Sequence, residues 1–277
     1  MKVDGELRPT TWEECLDDLG ARLRNIIERY GPESVGVFFG SGIGMDAAGY
    51  RMAQALHAAI GTPAKFSPMT IDGTAKVLTA DLVGGSPALS GRPDYDNASF
   101  VLNQLEAFKL PISPPEGSFG PGPRSRPETQ SFLGEWPCAV LADEIRAGNI
   151  RAVLNLGGHL VAAFPDTETL VPALRDLELF ATIEIIGNET TALSTHVLPT
   201  KDQLERADVS LWDFLIQRVA VQHTPAVVEP VGDRRSVVGA RGTRTAPRLP
   251  ARRQQIRAGH RRHPARRDHR PRPAPVR

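Results

Sequence analysis

The residues best placed to do chemistry lie in three short turns. Gly157-Gly158-His159 follows the apolar run Ala152-Val153-Leu154-Asn155-Leu156, and Gly187-Asn188-Glu189-Thr190 follows the run Phe180 to Ile186. Much earlier, Gly40-Ser41-Gly42-Ile43-Gly44 follows Val35-Gly36-Val37-Phe38-Phe39. A glycine turn has no Cβ atoms, so a ligand can approach its backbone closely and its N–H groups can face a phosphate. Tight packing demands glycine as well, and a pattern as short as GSGIG is a weak signal. Polar residues at strand ends also serve as ordinary helix caps.

The elements that position these turns are legible. Thr10 or Thr11 caps a first helix whose Leu16, Leu19, Leu23, Ile26 and Ile27 recur at helical spacing until Gly31-Pro32 stops it. Val35 to Phe39 is a short buried-type strand, and a second helix follows from Asp46 to Ile60. Ala139 to Ala147 reads as a helix ended by Gly148, Ala152 to Leu156 as a strand, and Pro165-Asp166-Thr167 as the start of a helix carrying Leu170, Ala173, Leu174 and Leu177. Phe180 to Ile186 is the next strand. Ala98 to Leu102 is a further short strand, while Ser210 to Val221 fits either a strand or a helix. Strand, helix, strand in this order predicts parallel strands joined by right-handed crossovers, with ligands beyond the carboxyl ends. The expected fold class is α/β, as two partial doubly wound lobes with parallel strands and a disordered Arg/Pro-rich tail.

Composition narrows the class. A chain of 277 residues that is 40% hydrophobic supports a globular body. No apolar run reaches the ~20 residues of a membrane span, and no export signal is visible, so a cytoplasmic location is expected. Cys15 and Cys138 stand alone without metal-ligand spacing, which points to buried small side chains rather than a disulfide or metal framework. From Arg234 to Arg277 there are 15 arginines and one acid, Asp268, so the overall charge of +1 hides an acidic body and a basic tail. The tail lacks lysine and aromatics for base stacking; it reads as a nucleic-acid-binding arm or, in preference, as an out-of-frame translation of GC-rich sequence, disordered in either case.

Several motifs resemble the bis-molybdopterin guanine dinucleotide oxidoreductases, which include formate dehydrogenases, periplasmic nitrate reductases and dimethyl sulfoxide reductase relatives. TWEECLDDL, YGPESVGVFFGSG and a helix ending AAIGTP are similar to the start of the family's second domain. GGH with FPD, then NETTALSTHVLPTKDQLERAD, is similar to its third, although His159 and Leu160 stand where the family has Asn-Pro. The resemblance implies a second-domain-like lobe over 1–109, a Pro/Gly-rich linker over 110–135, a third-domain-like lobe over 136–233 and the basic tail over 234–277. It implies a bis-molybdopterin guanine dinucleotide cofactor with molybdenum, held by Gly40, Ser41 and Gly42 on one half and Gly157, Gly158, His159, Glu189 and Thr190 on the other.

Asp72, in Thr70-Ile71-Asp72-Gly73, matches the place of the family's metal ligand, and a carboxylate is a hard oxygen donor suited to high-valent molybdenum. It is equally placed to cap a helix running from Gly73 to Val83. The implied activity is transfer of an oxygen atom or a hydride equivalent between the metal and a small molecule, with electrons leaving to a partner through a 4Fe-4S cluster for which this chain has no ligands. A stretch after Leu102 that the family carries is missing here, which implies an incomplete or inactive remnant. The competing expectations are a non-catalytic structural relative in a redox complex and a protein binding nucleic acid through its tail, the latter disfavoured.

Overall fold

The protein is described by a computed structural model over residues 1–75, 79, 82, 121–129, 131, 132, 134–209 and 223–235. The expected strand at Ala98 to Leu102, the Ser210 to Val221 segment, half of the 110–135 linker, most of the helix expected from Gly73 and nearly all of the basic tail lie outside these residues. Of two compact units, Met1–Arg241 holds everything described, and Gly242–Arg277 lies outside it.

A short hairpin, β1 (Lys2–Val3) and β2 (Glu6–Leu7), opens the chain. Its turn, Asp4-Gly5, has positive φ at both residues, the geometry that matches strand twist in a two-residue loop. Helix α1 (Trp12–Tyr30) starts with a reciprocal capping box between Thr11 and Glu14 and ends at Gly31, φ 85°. Then come β3 (Val35–Phe39), α2 (Ala47–Ile60, capped by Asp46) and the two-residue β4 (Lys65–Phe66). After the undescribed stretch follow α3 (Leu141–Arg146), β5 (Ala152–Leu156), α4 (Leu160–Ala163), α5 (Thr167–Arg175), β6 (Leu179–Glu184), α6 (Glu189–Leu193) and β7 (His196–Pro199). A last small antiparallel pair joins β8 (Asp208–Val209) to β9 (His223–Thr224).

Strands β4-β3-β5-β6-β7 form one sheet in that order, parallel throughout. The α/β class and parallel strands are as the sequence indicates, but the strands expected in two lobes are neighbours in a single sheet. Val35 to Phe39 pairs in register with Ala152 to Leu156. Periodicity marks where a strand is and says nothing about its partner, so this adjacency was not legible.

Both faces of the sheet are covered, and every residue of β3 and β5 is buried. On one face Val35, Val37, Phe39, Ala152, Leu154, Leu156, Leu179 and Ala181 pack with Ile26, Leu19 and Leu23 of α1 and Ala53 and Tyr50 of α2. On the other, Phe38, Val153 and Phe180 pack with Leu141 and Ile145 of α3, Leu160 of α4 and Leu170, Ala173 and Leu174 of α5. The face predicted for α5 is therefore the buried one. The strand expected at Phe180 to Ile186 ends two residues sooner, because Ile185 and Ile186 leave the sheet at its edge and are 36% and 65% exposed.

Candidate functional site

Because all five strands run the same way, the residues that follow them emerge along one edge. Gly40 follows β3, Gly157 follows β5, Ile185 follows β6 and Ser67 follows β4. Gly40 N–H donates to Leu156 O at 3.2 Å and Gly157 N–H to Ile183 O at 3.1 Å, so the ladder continues past the strand ends into the turns. The Gly40 and Gly157-Gly158 turns, far apart in sequence, touch: a Cβ on Gly40 would lie 1.3 Å from Gly157 O, and one on Gly158 would lie 3.2 Å from Gly40 Cα. Gly157 and Gly158 have φ of 70° and 139°, conformations that side chains rarely adopt. Packing accounts for Gly40, backbone conformation for Gly157, and both for Gly158. Gly42, by contrast, is exposed with nothing within 4 Å of its Cβ position, and Ser41 beside it is exposed too.

A hydrogen-bonded cluster spans the tips of β5 and β6. His159 Nδ1 accepts the Ala162 N–H at 3.0 Å, capping α4, and its Nε2 lies 2.6 Å from Glu189 Oε2. The cap requires a lone pair on Nδ1, so the ring proton is on Nε2 and both nitrogens are engaged. Glu189's own backbone N–H, and then the His159 ring, hold its carboxyl below the usual carboxylate range. Thr190, buried, accepts the Val161 N–H at 3.0 Å and lies 3.3 Å from His159 Nδ1. Glu184 accepts the Gly158 N–H at 3.3 Å. Thus Gly158, His159, Glu189 and Thr190 are joined, with Gly40 against Gly157.

Sequence reading missed two residues here. Glu184 ends β6 and reads in sequence as one more strand residue. Asn155, fully buried on β5, donates its Nδ2 to Gly158 O at 2.9 Å, while its Oδ1 has no donor. A polar residue inside an apolar strand run, two places before a glycine pair, was the available signal.

Asp72 is exposed, and its N–H donates to Pro68 O at 3.0 Å in the turn after β4. That turn follows β4, the outermost strand, which pairs with β3. Its turn is anchored from 135–138. Ser67 hydroxyl bonds Glu135, whose other oxygen is 2.9 Å from Lys65 Nζ; Trp136 N–H donates to Lys65 O at 2.8 Å; Thr70 Oγ1 accepts the Cys138 N–H at 3.1 Å. Cys138 and Cys15 are both free and buried, as their isolation in sequence suggests. Among the described residues no group of three or more His, Cys, Asp or Glu is arranged to hold a metal ion.

His196 is fully buried on β7 and tied at both nitrogens, Nε2 2.9 Å from Asp18 Oδ2 on α1 and Nδ1 2.9 Å from Thr195 Oγ1. Burial lowers its pKa, against the pull of Asp18. It joins helix to sheet at a distance from the glycine turns along the chain.

A parallel sheet with helices on both faces and polar turns along its carboxyl edge defines a doubly wound α/β protein, whose ligands bind beyond the strand ends. No family model matches the sequence. A periplasmic nitrate reductase of Desulfovibrio desulfuricans is 31% identical over 104 residues, which is 38% of this chain and 13% of that protein. A nitrate reductase of Symbiobacterium thermophilum is 30% identical over 146 residues, 53% of this chain and 18% of that protein. Among solved structures, acetylene hydratase from Pelobacter acetylenicus has the same fold with a TM-score of 0.57 at 12% identity, covering 84% of this chain and 58% of that one. The matches span less than a fifth of either nitrate reductase. In sequence and in fold, the chain resembles part of a molybdopterin oxidoreductase. Among the described residues no helix is long and apolar enough to cross a membrane.

Proposed function

We propose that this chain is part of a molybdopterin-dependent oxidoreductase and that the carboxyl edge of its sheet receives the nucleotide end of a pterin cofactor. The observation that carries the reading is the gathering of Gly158, His159, Glu189 and Thr190 at the tips of β5 and β6, beside the Gly40-Ser41-Gly42 turn. The likeness to nitrate reductases over part of the sequence supports it.

The residues present fit such a group. Gly42 and Gly187 leave open space where a side chain would stand, and Asn155 Oδ1 is a buried acceptor without a donor. Glu184 and Glu189 are acceptors too, so this end of the edge suits the donor groups of a guanine base or the hydroxyls of a ribose, and the uncrowded backbone at Ser41 and Gly42 suits phosphate. Asp72 would give molybdenum one hard oxygen donor. When bound, the pterin group supplies the transfer of an oxygen atom or a hydride equivalent. The chain's own residues bind and orient it. Cofactor binding, with or without turnover, is assigned to this chain.

The test is metal analysis of the purified full-length chain, expressed with molybdate, together with extraction of the pterin and calorimetric titration with GDP as a probe of the nucleotide end. The expected result is molybdenum and pterin in comparable amounts, with both lost in Gly42→Asp while its melting temperature holds. A folded chain that carries neither and gives no heat with GDP overturns the proposal.

A further inference from the structure

We infer that Cys138 and Thr70 form a clasp that fixes the turn carrying Asp72, making Cys138 a positioning residue for that carboxylate. The role of the carboxylate rests on the reading above; the clasp does not.

The turn needs outside support. It follows β4, a strand of two residues with a single neighbour in the sheet, β3. Backbone pairing on that side ends at Phe66. Beyond the turn's own hydrogen bonds to Ser67 and Pro68, residues far along the chain add three ties. Trp136 N–H donates to Lys65 O, and its ring meets Phe66 edge-on with centroids 6.1 Å apart. Glu135 braces Lys65 and Ser67. Cys138 reaches furthest: its N–H donates to Thr70 Oγ1 at 3.1 Å, its sulfur is 3.2 Å from the same oxygen, and its thiol donates to Ser67 O at 3.3 Å.

The polar contacts of Cys138 thus fall on Ser67 and Thr70, the latter two residues short of Asp72, and the side chain is 2% exposed. Thr70 Oγ1 also lies 3.0 Å from Ser67 O, so one hydroxyl closes the turn on itself and onto Cys138. Pro68 sits at the first position of the turn and contributes no N–H, leaving the carbonyls of Ser67 and Pro68 as its anchors. Burial pushes the Cys138 thiol up to about 12, so it stays protonated and keeps its S–H to donate.

The experiment is hydrogen exchange of the full-length chain, read by mass spectrometry on peptides covering 67–73 and 152–156. Cys138→Ala is expected to speed exchange in 67–73 about tenfold, the size that loss of one or two buried hydrogen bonds gives, with 152–156 unchanged. Cys138→Ser, which keeps a donor at that place, restores most of the protection. Thr70→Val removes the partner from a half-buried position and gives the same local loosening, which keeps the test open if Cys138→Ala folds poorly. Unchanged exchange in 67–73 in Thr70→Val, acceleration shared equally with 152–156, or no rescue by serine overturns the clasp. Molybdenum content of Asp72→Ala separates the two ideas: wild-type content there removes the metal role of Asp72 and leaves the exchange result standing.

Discussion

Gly40 and Gly157 meet backbone to backbone: a Cβ on the first would lie 1.3 Å from the carbonyl oxygen of the second. The contact locks the turn after β3 to the turn after β5, and it separates glycines that pack from a glycine that is open. Gly40→Ala forces the two turns apart and is expected to lower unfolding free energy by about 3 kcal/mol, the upper end of overpacking costs. Gly42→Ala, in open space, is expected to stay within about 0.5 kcal/mol of wild type. Urea unfolding of the two variants checks the pair.

Asn155 supports the same place from below. Asn155→Ala leaves the Gly158 carbonyl without its side-chain donor and is expected to cost about 1–2 kcal/mol. Asn155→Asp sets a buried carboxylate against that carbonyl and costs more. Its penalty grows with pH, since only the protonated acid can donate there. Denaturation at pH 5 and pH 8 reads both effects.

His196 gives a pH dependence of known sign. Burial lowers its folded-state pKa, and the Arg22 guanidinium and the N-terminal ammonium push the same way while Asp18 opposes them. The unfolded chain therefore takes up the proton first, so stability is full above the ordinary histidine value near 6.5 and falls as pH drops below it toward the folded value. His196→Gln is expected to flatten the slope of melting temperature between pH 8 and pH 5. An unchanged slope removes His196 as its source.

The two thiols are predicted to be inert in the native state. Burial raises the pKa of Cys15 and pushes Cys138 up to about 12, so neither is a thiolate at neutral pH. Labelling with iodoacetamide at pH 8 is expected to modify neither until denaturant is added, and then both. Rapid native labelling at Cys138 contradicts its burial beneath the turn after β4.

Much of this architecture was legible because each element carries a local signal. The apolar spacing of α1 and α5, the capping threonine at 11 and the glycine stops at 31 and 148 give helices whose ends agree with the structure within a residue or so. β4, α4 and α6 have two to five residues each and fall below the length at which a period can be counted. At the candidate site the glycine turns were visible as composition, but their mutual contact depends on the pairing of β3 with β5, a long-range fact. Glu184 and the Thr70–Cys138 contact were hidden for the same reason, since each acquires its partner only when distant segments are laid side by side. Asn155 bonds three residues along its own chain and is marked in sequence only as a polar residue in an apolar run.

The pairing of Val35 to Phe39 with Ala152 to Leu156 also governs how the molecule comes into being. A ribosome making this chain releases the β3 ribbon, apolar on both sides, long before its central neighbour has been synthesised. Closing so large a loop carries an entropic penalty that only the finished pairing offsets, so assembly is slow and late. During that wait an apolar ribbon without its neighbour is prone to aggregation.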